Sequence, residues 1–295
     1  MISRYPLSFE QIPAWAAEEQ LSVAEARTRF AQYAILCAVA GSRMLAAMLV
    51  FKGGNALDFV WQPNRSTRDL DFSVDMATVT ARLDAEHWRG LFTPSLAVSS
   101  RDLGLVLQVQ SVRQQPPGLE KTFATYEIRV GYALPDEASL LARLRQGQPS
   151  TRVIPVEISI NEAIGDDEVV DLDTTHRLRV STLEDIVAEK LRALLQQRIR
   201  GRTRRQDLLD VAVIVRATPS LNRDHVGRFL LAKAKTRAVQ VSRTAFHEPE
   251  LAIRALQDYD ALRQTTRTTF IPAEEALAIL HAFVDGLPIP ETEGL

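Results

Sequence analysis

The pattern of apolar residues changes near residue 180, and this change limits the possible folds more than any other feature. Before it, strand-like runs occur among helical stretches; the runs span 49–51, 69–74, 103–112, 123–132, 152–160 and 177–180. After it, the patterns are helical, near 181–199, 204–216, 222–238, 248–263 and 273–285. The sequence therefore predicts an α+β fold, with a mixed-sheet α/β domain at 1–180 and a helical domain at 181–295.

Local signals refine this division. Helical patterns are expected over 8–49, from 55 to 60 and near 78–91, and residues 114–118 (Gln-Gln-Pro-Pro-Gly) are expected to form a turn between two strands. The tetrapeptides Ser22-Val-Ala-Glu25 and Ser181-Thr-Leu-Glu184 each match a capping box, which marks the start of a helix.

Composition excludes several classes of protein. The 295 residues are 46% hydrophobic and 24% charged, so neither a disordered chain nor a fibre is indicated. The net charge of -2 argues against a general nucleic-acid coat protein. Cys37 is the single cysteine, lies in an apolar run and is expected to be a core residue, so no disulfide within the chain is possible. With no signal-peptide pattern and no bilayer-spanning run, we expect a cytoplasmic protein without a membrane partner.

Asp69 and Asp71 are the first candidates for chemistry. Side chains two apart on a strand share a face, so both carboxylates would lie together while Leu70 points to the core. Two adjacent carboxylates repel each other unless a cation lies between them, and Mg²⁺ prefers such oxygen ligands. A solvated strand face is the alternative, and Asp-x-Asp alone does not exclude it.

Two further features support a phosphate and metal site. Gly53-Gly54 lies between a strand and a helix, where bare backbone amides can approach a phosphate, although a plain turn gives the same pattern. Glu157 lies in an apolar strand opposite Val156 and Ile158, so it needs a partner such as a metal unless the strand is at a solvated edge.

The helical half carries charged residues in unusual places. Lys190 borders the apolar stripe of its helix, so it is either a buried phosphate ligand or an ordinary snorkelling lysine. Asp207 and Asp210 share a helix face; Asp210 precedes an apolar run and is expected to face inward with a partner. A dense arginine cluster, which suits phosphates but is also typical of a solvated surface, comprises Arg198, Arg200, Arg202, Arg204 and Arg205. The five histidines show no zinc-binding spacing.

Four linked motifs resemble the AbiEii/AbiGii toxin family, nucleotidyltransferases of the DNA polymerase β-like superfamily that include the MenT toxins. They are Lys52-Gly-Gly-Asn-Ala-Leu57, Arg65-Ser-Thr-Arg-Asp-Leu-Asp-Phe72, the segment Glu184 to Leu194, and Arg205-Gln-Asp-Leu-Leu-Asp210. The resemblance implies a mixed-sheet nucleotidyltransferase core with a C-terminal helical half that completes the active site. It also implies Mg²⁺, an NTP, an RNA acceptor that is tRNA for some relatives, and a cognate antitoxin protein, in a toxin–antitoxin or phage-defence system.

The resemblance also assigns roles to residues. Asp69 and Asp71 would bind Mg²⁺, with Lys190, Asp210 and Glu157 completing the catalytic set. The nucleotide would contact residues from three of the motifs: Lys52, Gly53, Gly54, Asn55, Arg65, Thr67 and Lys190. Asn55 replaces the usual Thr or Ser, and Gln206 replaces a frequent Arg. The open alternatives are transfer to a small molecule or protein, and a non-catalytic binding module on the same fold.

Overall fold

The structure, a computed structural model, describes residues 4–65, 67–79, 83–116 and 124–292, with the backbone alone for residues 198 and 200. These residues fall into two compact units. The first is drawn from 1–60, 67–161 and 169–180, and the second from 61–66, 162–168 and 181–295. The short segments 61–66 and 162–168 thus belong with the helical residues, which the sequence pattern did not indicate.

Seven strands form one sheet. They are β1 Leu49–Lys52, β2 Leu70–Val74, β3 Val106–Gln115, β4 Thr125–Ala133, β5 Val153–Ser159, β6 Asp167–Asp171 and β7 Arg177–Ser181. Their order is β3-β4-β5-β2-β1-β7-β6. β2 is parallel to β5 and antiparallel to β1, and β1 is parallel to β7, so the predicted mixed sheet is confirmed. β5 lies inside the sheet, and Glu157 is therefore not on an edge strand.

The first unit contains six α-helices among its described residues. They are α1 Ile12–Glu18, α2 Val23–Ala40, α3 Arg43–Met48, α4 Gly53–Ala56, α5 Ala85–Leu103 and α6 Ala138–Arg145. The helical pattern expected over 8–49 is present, but as three helices, because the chain turns at Gln20, where φ is 55°, and α2 ends at Gly41. The capping box of Ser22 and Glu25 is confirmed, with both reciprocal hydrogen bonds present at the start of α2.

Three other boundaries in this unit differ from the sequence prediction. The helix expected near 78–91 is α5, which Asp84 caps and which ends at the left-handed Gly104, so residues 103–105 precede β3 rather than begin it. The expected turn at 114–118 lies partly outside the described residues. β6 was not predicted, because Asp167–Asp171 is acidic and largely exposed, without apolar alternation.

The second unit is helical, as expected, with α7 Leu183–Arg200, α8 Arg205–Ala217, α9 Arg223–Thr236, α10 Arg243–Phe246, α11 Pro249–Leu256 and α12 Ala273–Asp285. The capping residue of α7 is Thr182, which accepts a hydrogen bond from the Asp185 amide, so the predicted box at Ser181 was displaced by one residue. The helix predicted over 248–263 ends at Leu256, because Asp258 is left-handed. No helix in the described parts of the chain is both long and apolar enough to span a membrane.

Candidate active site

A row of charged side chains crosses the middle of the sheet. The strand register pairs Asp71 of β2 with Lys52 of β1 on one side and with Glu157 of β5 on the other. Glu157 is paired in turn with Glu127 of β4. Paired residues share a face, with β-carbons roughly 4.5–5.5 Å apart. The structure thus places the two predicted carboxylates, Asp71 and Glu157, next to each other, although 86 positions separate them in the chain.

Burial differs between the aspartates and the apolar residues at the start of β2. Leu70 and Phe72 are fully buried, whereas Asp69 and Asp71 are half-buried. This alternation is the pattern expected when the two aspartates lie on one side of the chain and the apolar residues on the other. Asp69 itself precedes β2, which begins at Leu70.

Gly53 lies directly against the Asp71 carboxylate. A β-carbon at Gly53 would lie 2.4 Å from Asp71 Oδ2, which is closer than a β-carbon can approach an atom to which it is not bonded. The φ angle of Gly53 is also +72°, a conformation that other residues adopt only with strain. Glycine is therefore required here both for the turn from β1 into α4 and for the room that the carboxylate occupies.

Two buried amides fix the segment that leads into β2. Gln32 of α2 donates from Nε2 to the carbonyl oxygens of Thr67, at 2.9 Å, and Arg68, at 3.2 Å. Asn55 is completely buried, and its Nδ2 donates to the carbonyl oxygens of Thr67, at 3.2 Å, and Asp69. These bonds position the Asp69 backbone. The predicted contact of Asn55 with a phosphate stays a prediction, because both amide hydrogen bonds of its Nδ2 go to the protein backbone.

The donor atoms on this face fit a hard divalent cation. Asp71 and Glu157 offer neighbouring carboxylates, and Gly53 presents backbone without a side chain. Thr67 Oγ1 is buried and has no hydrogen-bond partner among the described residues. Oxygen donors around adjacent like charges are the environment that Mg²⁺ prefers.

The second unit holds a separate cluster around Lys190. Lys190 is buried on α7, and its Nζ donates to Asp210 Oδ2 at 2.7 Å and to Asp207 Oδ1 at 3.1 Å, both on α8. Arg65 also reaches Asp210 Oδ2, at 3.2 Å. The expectation that Asp210 faces inward with a partner is confirmed, and Lys190 is not a snorkelling surface lysine.

The charges of this cluster stabilise one another. Burial by itself would lower the pKa of Lys190, but the carboxylates of Asp210 and Asp207 outweigh burial and raise it. Burial would likewise raise the pKa of Asp210, but Lys190 and Arg65 outweigh it and lower it. Both groups are therefore charged at neutral pH, and the ammonium group of Lys190 is held in one position.

The arginines of the predicted cluster have different surroundings in the structure. Arg198 and Arg200 lie on α7, and their side chains are outside the described residues. Arg202 is exposed after the left-handed Gly201 that ends α7. Arg204 lies 3.6 Å from Asp207, and Arg205 lies 3.4 Å from Asp258, so each has an acidic partner in the same unit.

Comparison with protein families identifies the family of the chain. The sequence profile of the nucleotidyl transferase AbiEii toxin, type IV toxin–antitoxin system, matches residues 35–281, which is most of the chain. The chain belongs to the AbiEii family. The resemblance of the four motifs is thereby confirmed, and the protein is a nucleotidyltransferase toxin of the toxin–antitoxin class. The matched range contains every predicted site residue.

Solved structures share the fold of this chain. MenT4, a nucleotidyltransferase toxin from Mycobacterium tuberculosis, superimposes with a TM-score of 0.59 at 19% identity, covering 97% of this chain and 91% of MenT4. JHP933 from Helicobacter pylori gives a TM-score of 0.51 at 17% identity, covering 90% of this chain and 92% of JHP933. At such identities these likenesses show the fold alone. Among curated proteins, no significant match to the sequence was found.

Sequence reasoning on this AbiEii chain did not identify three of the residues that position the site. Gln32 lies within the apolar pattern of α2, between the buried residues Ala31 and Tyr33. A polar side chain at a buried position of a helix was the one feature of the sequence that could have indicated its role. Asp207 lies in the first turn of α8, and its role as a partner of Lys190 was not indicated by the sequence. Glu127 extends the carboxylate row, and it lies in none of the sequence motifs.

Proposed function

We propose that this AbiEii protein transfers a nucleotide from an NTP to an RNA, with Mg²⁺ as the metal. The observation that carries the proposal is the pairing of Asp71 with Glu157 on neighbouring strands, with Gly53 lying against Asp71. A pair of adjacent carboxylates beside bare backbone suits a cation that also binds phosphate oxygens.

Asp69, Asp71 and Glu157 are the residues that would hold the metal. When bound, divalent metal supplies charge stabilisation for the attacking and leaving oxygens of the phosphoryl group. The protein's own contribution is position: Asn55 fixes the backbone at Asp69, and the sheet register fixes Asp71 beside Glu157. Glu157 is also the candidate to accept the proton of the attacking hydroxyl.

The remaining motif residues bind the nucleotide in this proposal. Gly53 and Gly54 offer backbone amides at the start of α4, and Lys52 is a buried cation in the same charged row. Thr67 has a hydroxyl oxygen that is buried and without a partner among the described residues. The residues assigned to the nucleotide are Lys52, Gly53, Gly54, Asn55, Arg65, Thr67 and Lys190.

Lys190 and Asp210 are required for transfer in the proposal, as the family resemblance implies. The structure supports one distinction between them. Asp210 is almost completely buried and bonded to two cations, so its direct effect is to hold Lys190 and Arg65. Lys190 is the residue with a charge that a phosphate can use, because its ammonium group has three donors and two are taken by carboxylates.

An RNA acceptor, with tRNA as the first choice, is supported by the arginines at 198, 200, 202, 204 and 205, since clustered arginine suits a phosphate backbone. The same proposal includes a cognate antitoxin protein as the partner and the cytoplasm as the location. Phage defence is one process in which such a toxin would act. The second candidate is transfer to a small molecule or a protein hydroxyl, which uses the same carboxylate row.

One experiment separates these acceptors. Purified protein is incubated with each α-labelled NTP and Mg²⁺, together with total tRNA, with a tRNA-free protein extract or with neither. Label in the tRNA band that disappears in Asp71→Asn supports the proposal. Label confined to protein or to small products would favour the second candidate, and absence of label under all conditions would contradict the proposed activity.

A further inference from the structure

A second cluster of potential metal ligands lies in the first unit, apart from the carboxylate row. Cys37 is on α2, and Asp173 and His176 are in the loop between β6 and β7. One thiol sulfur, one carboxylate oxygen and one imidazole nitrogen lie within 4.8 Å of one another. Among the described residues, this is the one group of three or more such side chains with this spacing. No motif predicted it.

The two oxygens of Asp173 have different surroundings. Oδ1 is bound by its own turn, accepting from the amides of Thr175 at 2.7 Å and His176 at 2.8 Å and from the Thr175 hydroxyl. This holds the carboxylate in one orientation. Oδ2 faces the side chains: Tyr33 Oη donates to it at 2.7 Å, His176 Nδ1 lies 2.8 Å away and Cys37 Sγ lies 3.9 Å away.

The spacing of these atoms is close to that of a tetrahedral zinc site. With Zn–S of about 2.3 Å and Zn–O of about 2.1 Å, tetrahedral ligands have a sulfur–oxygen distance of about 3.6 Å. The observed distance from Cys37 Sγ to Asp173 Oδ2 is 3.9 Å. The distance from His176 Nδ1 to Oδ2 would have to widen from 2.8 Å to about 3.4 Å, which a rotation of the half-exposed imidazole ring can supply.

The same cluster borders a cavity of about 230 Å³ between α2 and α5. Cys37 and His176 line it, together with Gly41, Ser42, Asp102 and Leu103. The cavity leaves room for a water molecule as the fourth ligand, and the His176 side chain, 32% exposed, opens a route from solvent. An entry path and an open position are what a three-ligand site requires.

We propose that Cys37, Asp173 and His176 form a zinc-class divalent metal site with water from the adjacent cavity as the fourth ligand. The ligand set of thiolate, imidazole and carboxylate is typical of zinc and poorly suited to Mg²⁺. Binding releases one proton, from the Cys37 thiol, while the proton on His176 Nδ1 moves to Nε2. The thiolate and carboxylate then balance the two charges of the metal ion, and Tyr33 continues to donate to Asp173.

The rival role for Cys37, as a free nucleophile, is disfavoured by its surroundings. Burial raises the pKa of the Cys37 thiol to about 12, so without a cation it stays protonated at neutral pH. A bound metal ion removes this obstacle, because a coordinating thiol is deprotonated outright.

The single cysteine makes a specific test possible. Cobalt(II) bound to a thiolate shows a near-ultraviolet charge-transfer band, and in this chain Cys37 is the one residue that can produce it. The titration uses full-length Asp71→Asn protein, which weakens cation binding at the carboxylate row. We expect a band that saturates at one cobalt ion per chain and that zinc displaces. Absence of the band at several equivalents of cobalt would overturn the proposal.

Three variants in the same background complete the experiment. Cys37→Ala should abolish the band, and His176→Gln should weaken cobalt binding at least tenfold, because one of three protein ligands is lost. His87→Gln is the matched control, a histidine of the same unit outside the cluster, and should leave the titration unchanged. If Cys37→Ala does not fold, His176→Gln decides, and a band of unchanged affinity in that variant would also contradict the site.

Discussion

The Asp71 carboxylate lies against the bare α-carbon of Gly53, so that a β-carbon there would lie 2.4 Å from Asp71 Oδ2. Two motifs that are separate in the sequence, Gly-Gly and Asp-x-Asp, are therefore a single packing unit. The glycine leaves room for the carboxylate at the end of β1, and the register of β2 brings the carboxylate to that place. The requirement for glycine at this position is steric as well as conformational.

Gly53→Ala should lose activity by more than its effect on stability explains. Gly104 is the matched control, since its φ of +71° is within 1° of the +72° of Gly53 and no atom lies within 4 Å of its β-carbon position. Both variants should lose about 1–2 kcal/mol in the free energy of unfolding from left-handed strain. Gly53→Ala should also displace Asp71 and abolish transfer. Denaturant unfolding and the transfer assay measure the two effects, and equal activity of both variants would refute the packing argument.

Asp69→Asn and Asp71→Asn should each abolish nucleotide transfer while the fold is retained. Asparagine keeps the size of the side chain and its hydrogen-bonding oxygen but removes the negative charge that a divalent cation needs. Circular dichroism should show native spectra and melting temperatures within a few degrees of the parent protein. Normal turnover by Asp69→Asn would remove Asp69 from the metal site and leave Asp71 with Glu157.

The Lys190–Asp210 pair should make the free energy of unfolding depend on pH in the acidic range. Lys190 and Arg65 lower the pKa of Asp210 below its unfolded value, so the pair contributes stability that is fully present above about pH 4. This contribution is lost as the pH falls through the lower folded pKa. Asp210→Asn removes it, and we expect a loss of about 1–3 kcal/mol at pH 7.

The difference in unfolding free energy between the parent protein and Asp210→Asn should therefore shrink as the pH falls below 4, as measured by urea unfolding. A difference that is constant from pH 7 to pH 3 would contradict the ion pair. Lys190→Ala is a poorer probe of phosphate binding, because it also removes a cation from the buried Asp210 carboxylate and so destabilises the fold. Lys190→Arg keeps the charge and is the better variant for NTP titration.

The sequence predicted most of the strands because their apolar residues alternate, as at Ile154, Val156 and Ile158. It could not predict the order of strands in the sheet, since that order depends on contacts between distant residues. The neighbouring positions of Asp71 and Glu157 were therefore unknown. The inward orientation of Asp210 was correctly inferred from the apolar run beside it, but nothing in the pattern identified Arg65, 145 residues away, as a partner. The proximity of Cys37 to Asp173 could not be predicted from the spacing of residues in the sequence either, because the two are distant along the chain.

Arginines of this cluster that have no acidic partner among the described residues should carry most of the RNA affinity. Arg202 is exposed, whereas Arg204 and Arg205 lie near Asp207 and Asp258. Arg202→Ala should reduce the slope of log K against log salt for RNA by roughly 0.7, the value for one phosphate contact on a single strand. Arg205→Ala is the control and should change the slope less. The opposite ranking, measured by fluorescence anisotropy with labelled tRNA, would place the acceptor elsewhere.

Glu157→Gln should separate chemistry from nucleotide binding. Glu157 lies next to Asp71 on β5, and its carboxylate is the candidate ligand or base for the attacking hydroxyl. Glutamine keeps the size and removes the charge, so NTP affinity, which depends mainly on phosphate contacts, should change less than twofold. The rate of transfer in a single turnover should fall by a factor of about 10²–10⁴. Glu127→Gln is the matched control, because Glu127 lies in the same row but one strand further from Asp71.

The position of Glu127 makes this comparison decisive. Gln115 donates a hydrogen bond to Glu127 at 3.2 Å, and Arg129 forms an ion pair with it at 3.7 Å, so the charge of Glu127 is balanced within β3 and β4. Glu157 lies next to a second carboxylate on β2, and a cation bound between the two would relieve their repulsion. Transfer should therefore be nearly normal in Glu127→Gln and almost absent in Glu157→Gln. If Glu157→Gln is fully active while Asp210→Asn, with its fold intact, is inactive, the third essential acidic group is Asp210, and Glu157 has no part in the reaction.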